Sequence, residues 1–196
     1  MVRAFPPNGH RAVRANGIPP QQALMKLRAR VGAYVYGEGD KDLAAVVIEQ
    51  CRSADLTLAV AESCTGGLLG ERITNIPGSS DVFLGGVIAY HNDVKRDQLG
   101  VQEDDIRRHG AVSEEVASQM AAAVRNRLGA DIGIAITGVA GPGGGTPEKP
   151  VGLIWIAVSA AETKARRFQL VGDRTEIRQR AAQAALEMLR RTLSKG

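Results

Sequence analysis

The sequence predicts an α/β fold, a three-layer α/β/α sandwich built on a mixed β-sheet. Three observations predict it. Strand-length apolar runs alternate with stretches of helical periodicity, in the order helix, strand, helix, strand, helices, strand, strand, strand, helix. The last two runs are joined by only Ala160-Ala161-Glu162, so they read as an antiparallel hairpin, while helices separate the earlier ones. The composition, 44% hydrophobic but 4% aromatic with 23 glycines, suits a core of Ala, Val and Ile. At 196 residues the chain is long enough for one well-buried domain plus a tail.

Taken in order, residues 1–33 read as a basic, poorly ordered leader, broken by Pro6, Pro7, Gly9, Gly17, Pro19 and Pro20. Within it, Leu24, Leu27 and Val31 have the spacing of a short helix. Residues 34–40 read as a connector, so the folded domain is expected to span 34–196. Asp40 is the expected cap of a helix with Leu43, Val46, Val47 and Cys51 on one face. A strand over 56–62, a helix over 66–75 and a second strand over 82–90 follow, with Pro77 and Gly78 as breakers. Ser113-Glu114-Glu115 opens a helix with the stripe Val116, Met120, Val124, Leu128 and closes at Gly129. Strands over 132–137, 152–159 and 164–171 come next. Asp173 caps a last helix carrying Ile177, Ala181, Ala184, Met188 and Leu189.

The net charge of +4 sits unevenly. The first 30 residues hold six Arg and Lys and no acid, which leaves −2 on the remainder. The body therefore carries no basic footprint for nucleic acid. Two cysteines and three scattered histidines give neither a disulfide framework nor a metal-ligand spacing. No apolar run approaches a membrane span, and the N-terminus lacks a signal-peptide core. The expectation is a cytoplasmic protein with no metal and no membrane partner; a homo-oligomer stays open.

Chemistry concentrates at the ends of three strands. Ser63 follows the first and feeds a helix, where backbone N–H groups without intrahelical partners face outward. It is either a helix cap or a nucleophile whose neighbouring N–H groups hold an oxyanion. Tyr90 ends the second strand, Thr137 the third, and parallel strands would bring all three side chains to one sheet edge. Lys95, five residues past Tyr90, can fold back and serve as a base if burial lowers its pKa, with Tyr90 relaying the proton or orienting the amine. Each also has a plainer reading, Tyr90 as a strand-end aromatic and Lys95 as a solvated helix residue. The loop 138–145 fits neither a P-loop nor GxGxxG, yet its backbone can let an anion approach; Arg174 can add positive charge. Cys64 and His91 are alternative nucleophile and base, each with a bland structural reading.

These stretches closely resemble the CinA C-terminal domain family, which includes bacterial nicotinamide-nucleotide amidases. The motifs that carry the resemblance are residues 61–67 (AESCTGG), 89–95 (AYHNDVK), 110–113 (GAVS), 137–144 (TGVAGPGG) and 172–174 (GDR). They run in order across about residues 34 to 194. The resemblance implies deamidation of nicotinamide mononucleotide to nicotinate mononucleotide and ammonia. It implies Ser63 as nucleophile, Lys95 with Tyr90 as activating groups, and Thr137 and Arg174 as substrate-binding residues; Gly66, Gly67 and Gly141 are expected beside them as glycines that let the ligand approach the backbone. It implies no cofactor. Longer CinA proteins carry an additional N-terminal domain associated with ADP-ribose pyrophosphatase activity, of which residues 1–33 show no shortened version. Their link to competence and recombination makes a non-catalytic protein-interaction module the alternative function.

Overall fold

The computed structural model describes residues 2–4, 19–31, 35–38 and 41–194. The chain divides into two compact units, residues 1–46 and 47–196. In the first, strand β1 (Val2–Ala4) pairs antiparallel with β2 (Val35–Glu38), and helix α1 spans Pro20–Val31. The helix lies where the Leu24 and Val31 spacing predicts it, whereas β2 occupies a stretch that reads from sequence as a connector. Asp40 lies outside the described residues. Asp42 is the residue whose carboxylate accepts the Ala44 N–H, at 2.7 Å, ahead of α2 (Leu43–Ser53).

The second unit is built on a five-stranded sheet. Strands β3 (Leu58–Glu62), β4 (Phe83–Ile88), β5 (Ile132–Gly138), β6 (Leu153–Ser159) and β7 (Thr163–Gln169) lie in the order β4-β3-β5-β6-β7. β3 pairs parallel with both β4 and β5, whereas β6 runs antiparallel to β5 and β7. The sheet is mixed, as predicted, and the three strands that end in Ser63, Tyr90 and Thr137 are its parallel part.

Helices α3 (Leu68–Thr74), α4 (Asn92–Leu99), α5 (Glu103–His109), α6 (Glu114–Leu128) and α7 (Arg174–Leu193) complete the unit. Side chains alternate across a strand, and the two sheet faces differ in kind. One face offers Ala59, Ala61, Ala135 and Ala157 to Val116, Ala117, Met120, Ala121 and Val124 of α6. The face is so shallow that a Cβ on Gly133 would lie 2.1 Å from the Ala121 carbonyl oxygen. Small residues here are what let α6 lie close. The opposite face carries Leu58, Val60, Ile134, Ile136, Ile154 and Ile156, all buried, and α7 packs on β5 and β6 with Ile177 and Ala181. Each buried isoleucine contributes about 1.5–3 kcal/mol relative to exposure. The scarcity of aromatics follows from this alanine-against-isoleucine construction.

The caps are readable in the sequence. Ser113 accepts from Val116 N at the start of α6, and Gly129 (φ 65°) closes it. Asp173 and Glu176 form a reciprocal capping box on α7. Helix α3 departs from this pattern. Its N-cap residue is Gly67, which offers no side chain, and neither Ser63 nor Thr65 caps it.

Candidate active site

The β3–α3 turn begins with Ser63, whose N–H donates to Ile136 O of β5 at 2.9 Å. That bond continues the parallel ladder one residue past β3 and fixes Ser63 at the sheet edge. Gly66 (φ 58°) and Gly67 (φ 98°) take the left-handed conformations that turn the chain into α3. The cap comes from beneath. Glu62, 1% exposed, accepts from Gly67 N at 3.0 Å, Leu69 N at 3.1 Å and Gly70 N at 2.8 Å. Gly66 N donates to Ser63 O, and Leu68 N to Thr65 O. The N–H groups of Cys64 and Thr65 are the two in this turn that donate to no other described residue, the Cys64 N–H lying beside its own sulfur. Arg178 of α7 closes the outside of the turn by donating to Thr65 O at 2.6 Å. Of the N–H groups neighbouring Ser63, those of Cys64 and Thr65 are therefore the ones left for an oxyanion.

Lys95 is the largest polar side chain in the core, 1% exposed and with no ion pair among the described residues. It does fold back from α4. Its Nζ donates to Ala89 O at 2.8 Å and Tyr90 O at 3.2 Å, carbonyls that a parallel edge strand leaves at its end. Burial pushes its pKa down to about 8. Cys64 is also buried, and burial first, then the nearby Glu62 carboxylate, raise its thiol to about 12. Cys64 is therefore held as a thiol, a poor nucleophile.

Ser63, Cys64, Tyr90, Lys95, Thr137 and Arg174 all line one cavity of about 230 Å³, together with Asn92, Ala111, Val112, Gly138 and Ala140. Six of the residues singled out in the sequence therefore meet at one sheet edge. Ser63 Oγ makes no hydrogen bond to Lys95 or to any other described residue. Thr137, 1% exposed, donates its hydroxyl to Ala111 O at 2.8 Å and so ties the end of β5 to the 110–113 turn. Tyr90 is 57% exposed, and its phenol accepts from Arg174 Nη2 at 2.8 Å. Its carbonyl, rather than its ring, is what meets Lys95. Arg174 Nη1 donates to Gly141 O at 2.8 Å. The guanidinium has five N–H donors and no acidic partner among the described residues, so three donors stay available at the mouth.

The glycines fare differently. Gly66 and Gly67 do not line the cavity, and both of their N–H groups are used within the turn. Gly141 acts through its carbonyl, as the seat of Arg174. His91 caps α4, its Nδ1 accepting from Asp93 N at 3.3 Å, and does not line the cavity. Beyond Arg174 and Ala140 a second hollow of about 390 Å³ opens between Pro142, Val151, Gly172, Asp173 and Thr175.

The profile of the CinA C-terminal domain matches residues 40–193 of this chain. The chain belongs to the CinA C-terminal domain family. A CinA-like protein of Gemmatimonas aurantiaca is 59% identical over 175 residues, covering 89% of this chain and 41% of that protein. One from Salinibacter ruber is 53% identical over 169 residues, 86% of this chain and 41% of that protein. The chain thus spans about two fifths of the length of these relatives. Among solved structures, the competence/damage inducible protein CihA from Agrobacterium tumefaciens superposes with a TM-score of 0.75 at 42% identity, over 78% of this chain and 93% of that one. A CinA superfamily protein from Klebsiella pneumoniae gives 0.76 at 30% identity, over 79% and 97%.

Two features of this CinA C-terminal domain were missed from sequence. Asn92 stands inside the 89–95 motif and lines the cavity, yet an Asn at the start of a helix reads first as a capping residue. Glu62 was missed because an acid at a strand end reads as solvent-facing. Its signal was an acidic residue closing the apolar run Leu58–Ala61, directly before a turn whose glycines offer no capping side chain. Among the described residues no group of three or more His, Cys, Asp or Glu is placed to hold a metal, and no helix is long and apolar enough to cross a membrane.

Proposed function

We propose that this CinA C-terminal domain is a serine amidohydrolase that deamidates nicotinamide mononucleotide to nicotinate mononucleotide and ammonia. The observation that carries the reading is Lys95, a buried amine on the same cavity as Ser63, with two N–H groups held by carbonyls and its pKa lowered to about 8. A structural lysine has no need of that environment. A neutral amine keeps two N–H bonds and one lone pair. With Ala89 O and Tyr90 O taking the two hydrogens, the lone pair is the group left over for the cavity, as a general base requires.

In this mechanism Lys95 Nζ takes the Ser63 Oγ proton as Oγ bonds to the carboxamide carbon. The carbonyl π pair moves onto oxygen, and the N–H groups of Cys64 and Thr65 receive that oxyanion. The tetrahedral intermediate collapses, the C–N bond breaks, and the Lys95 ammonium returns its proton to the leaving nitrogen as ammonia. Water, deprotonated by the same amine, then hydrolyses the Ser63 ester. Arg174, bracketed by Tyr90 and Gly141, keeps N–H donors for the substrate phosphate, and that binding energy positions the amide. Thr137 holds the 110–113 wall of the cavity in place. The protein is read as acting in the cytoplasm, without metal or organic cofactor.

The test is ammonia release from nicotinamide mononucleotide, nicotinamide and glutamine in parallel. Release from the mononucleotide alone, lost in Ser63→Ala, is the expected result; a Ser63→Ala protein with full turnover sinks the reading. The competence-related names of the relatives favour a second reading, a non-catalytic interaction module. A module of that kind tolerates Lys95→Ala, whereas the amidase loses turnover by about 10²-fold or more.

A further inference from the structure

The Ser63 turn sits on an ionisable side chain that the proposed mechanism does not use. Glu62 is the last residue of β3, adjacent in sequence to the nucleophile, and 1% of it is exposed. A carboxylate is rarely buried to this degree without a charged partner. Here no cation pairs with it among the described residues, and its acceptors are met by backbone. One oxygen accepts from Gly67 N and Leu69 N, and the other from Gly70 N at 2.8 Å. These are N–H groups of the first turn of α3, the ones a helix cannot satisfy by itself.

Most helices receive that service from a cap residue on the chain entering the helix, such as Ser113 on α6 or Asp173 on α7. The entering residue of α3 is Gly67, with a backbone φ of 98° and no side chain. The cap is displaced five residues upstream, across the whole Ser63–Gly67 turn. A cap in that position does two things that a local one does not. It clamps the far end of the turn onto the strand that delivers Ser63, so the turn is anchored at both ends. It also takes up the helical N–H groups of α3 and leaves Cys64 N and Thr65 N as the pair that donates to no other described residue.

We propose that Glu62 is the positioning residue of this site: its two carboxylate oxygens, clamped to Gly67, Leu69 and Gly70, set the rotation of the Ser63 turn and reserve the Cys64 and Thr65 N–H groups for the oxyanion. The assignment rests on Ser63 being a nucleophile. It does not rest on the identity of the amide. Glu62 never touches the substrate, and it acts through the turn alone. Gln keeps one acceptor oxygen, so it can serve one side of the clamp but presents an NH₂ to the other, where N–H donors already point. Met keeps the volume and no acceptor.

The experiment compares wild type, Glu62→Gln and Glu62→Met at a temperature where circular dichroism shows each folded. Two readouts are taken: steady-state hydrolysis of nicotinamide mononucleotide, and the rate at which a fluorophosphonate labels Ser63, followed by peptide mass spectrometry. Positioning predicts a kcat about 100-fold lower with KM within twofold, since a misaligned nucleophile loses rate and Arg174 still binds the phosphate. Ser63 labelling slows in parallel, and the acid limb of the pH profile stays at the Lys95 value. A variant that is folded but keeps kcat and labelling within twofold of wild type overturns the proposal.

If wild type labels at Ser63 but releases no ammonia, the amidase reading fails while the labelling arm still decides on Glu62. If wild type neither labels nor hydrolyses, both fall. Should neither variant fold, amide exchange in the wild-type protein decides. Gly67, Leu69 and Gly70 N–H groups protected like the β3 core support the clamp, and exchange at loop rates overturns it.

Discussion

At the scale of single residues, Lys95 shows how burial converts an ordinary side chain into a reagent. In water its ammonium titrates at 10.5, and the site brings that down to about 8 by removing solvent from around the charge. Below pH 8 the amine is protonated and cannot accept from Ser63, so the proposed hydrolysis has a defined acid limb. The expected profile of kcat/KM falls tenfold per unit below about pH 8 and levels above it. A profile flat from pH 6 to 9 removes Lys95 from the role of base. The residue was legible as a candidate from its five-residue spacing past Tyr90, but its burial was not. That depends on α4 folding back so that two strand-end carbonyls receive the amine. Tyr90 was legible only in part. Its position is as expected, but its phenol faces Arg174, and nothing in a single sequence says which of two polar neighbours a tyrosine meets.

Among the elements, the parallel strands and α6 decide where the site can be. Their order and type were readable because Ser113, Gly129 and the stripe Val116, Met120, Val124 each carry a local physical signal. Packing depth was not readable. The alanines of β3, β5 and β6 read as generic small residues, whereas in the fold they and Gly133 form the shallow floor on which α6 rests. Gly133→Ala tests that approach. Its Cβ would stand 2.1 Å from the Ala121 carbonyl oxygen and 2.7 Å from Arg125 Cβ, both on α6. Overpacking of that kind costs about 1–3 kcal/mol and is expected to lower the midpoint of thermal unfolding by several degrees. Calorimetry checks it, and a midpoint unchanged within a degree means α6 lies further out. The capping of α3 was the element-scale surprise. A search of the entering chain for Ser, Thr or Asp finds Ser63 and Thr65, and the true cap is an acid on the preceding strand.

On the scale of the whole molecule, the proposed chemistry and the stability of the fold draw on the same buried amine, so they are linked through pH. Lys95 binds its proton less tightly when folded than when unfolded. Below about pH 8 both states are protonated, and the native protein carries the full cost of a buried ammonium. Between about 8 and 10.5 the unfolded chain holds the proton and the native state does not, so Lys95 makes stability rise with pH across that window. The span corresponds to about 3 kcal/mol. Cys51 and Cys64 act in the opposite sense. Their thiols are raised from 9.0 to about 11 and about 12, so the native state keeps protons that the unfolded chain loses above pH 9, and stability falls there. The wild-type curve is therefore expected to climb from pH 8 to 9 and then turn down, since two thiols outweigh one amine. Lys95→Met keeps the length of the side chain without the charge and removes only the first contribution. Denaturant midpoints from pH 7 to 10.5 check this: the difference between variant and wild type should favour the variant most below pH 8 and decline steadily above it. A difference independent of pH would mean that Lys95 titrates as it does in water, and the base proposed for Ser63 would lose its physical ground.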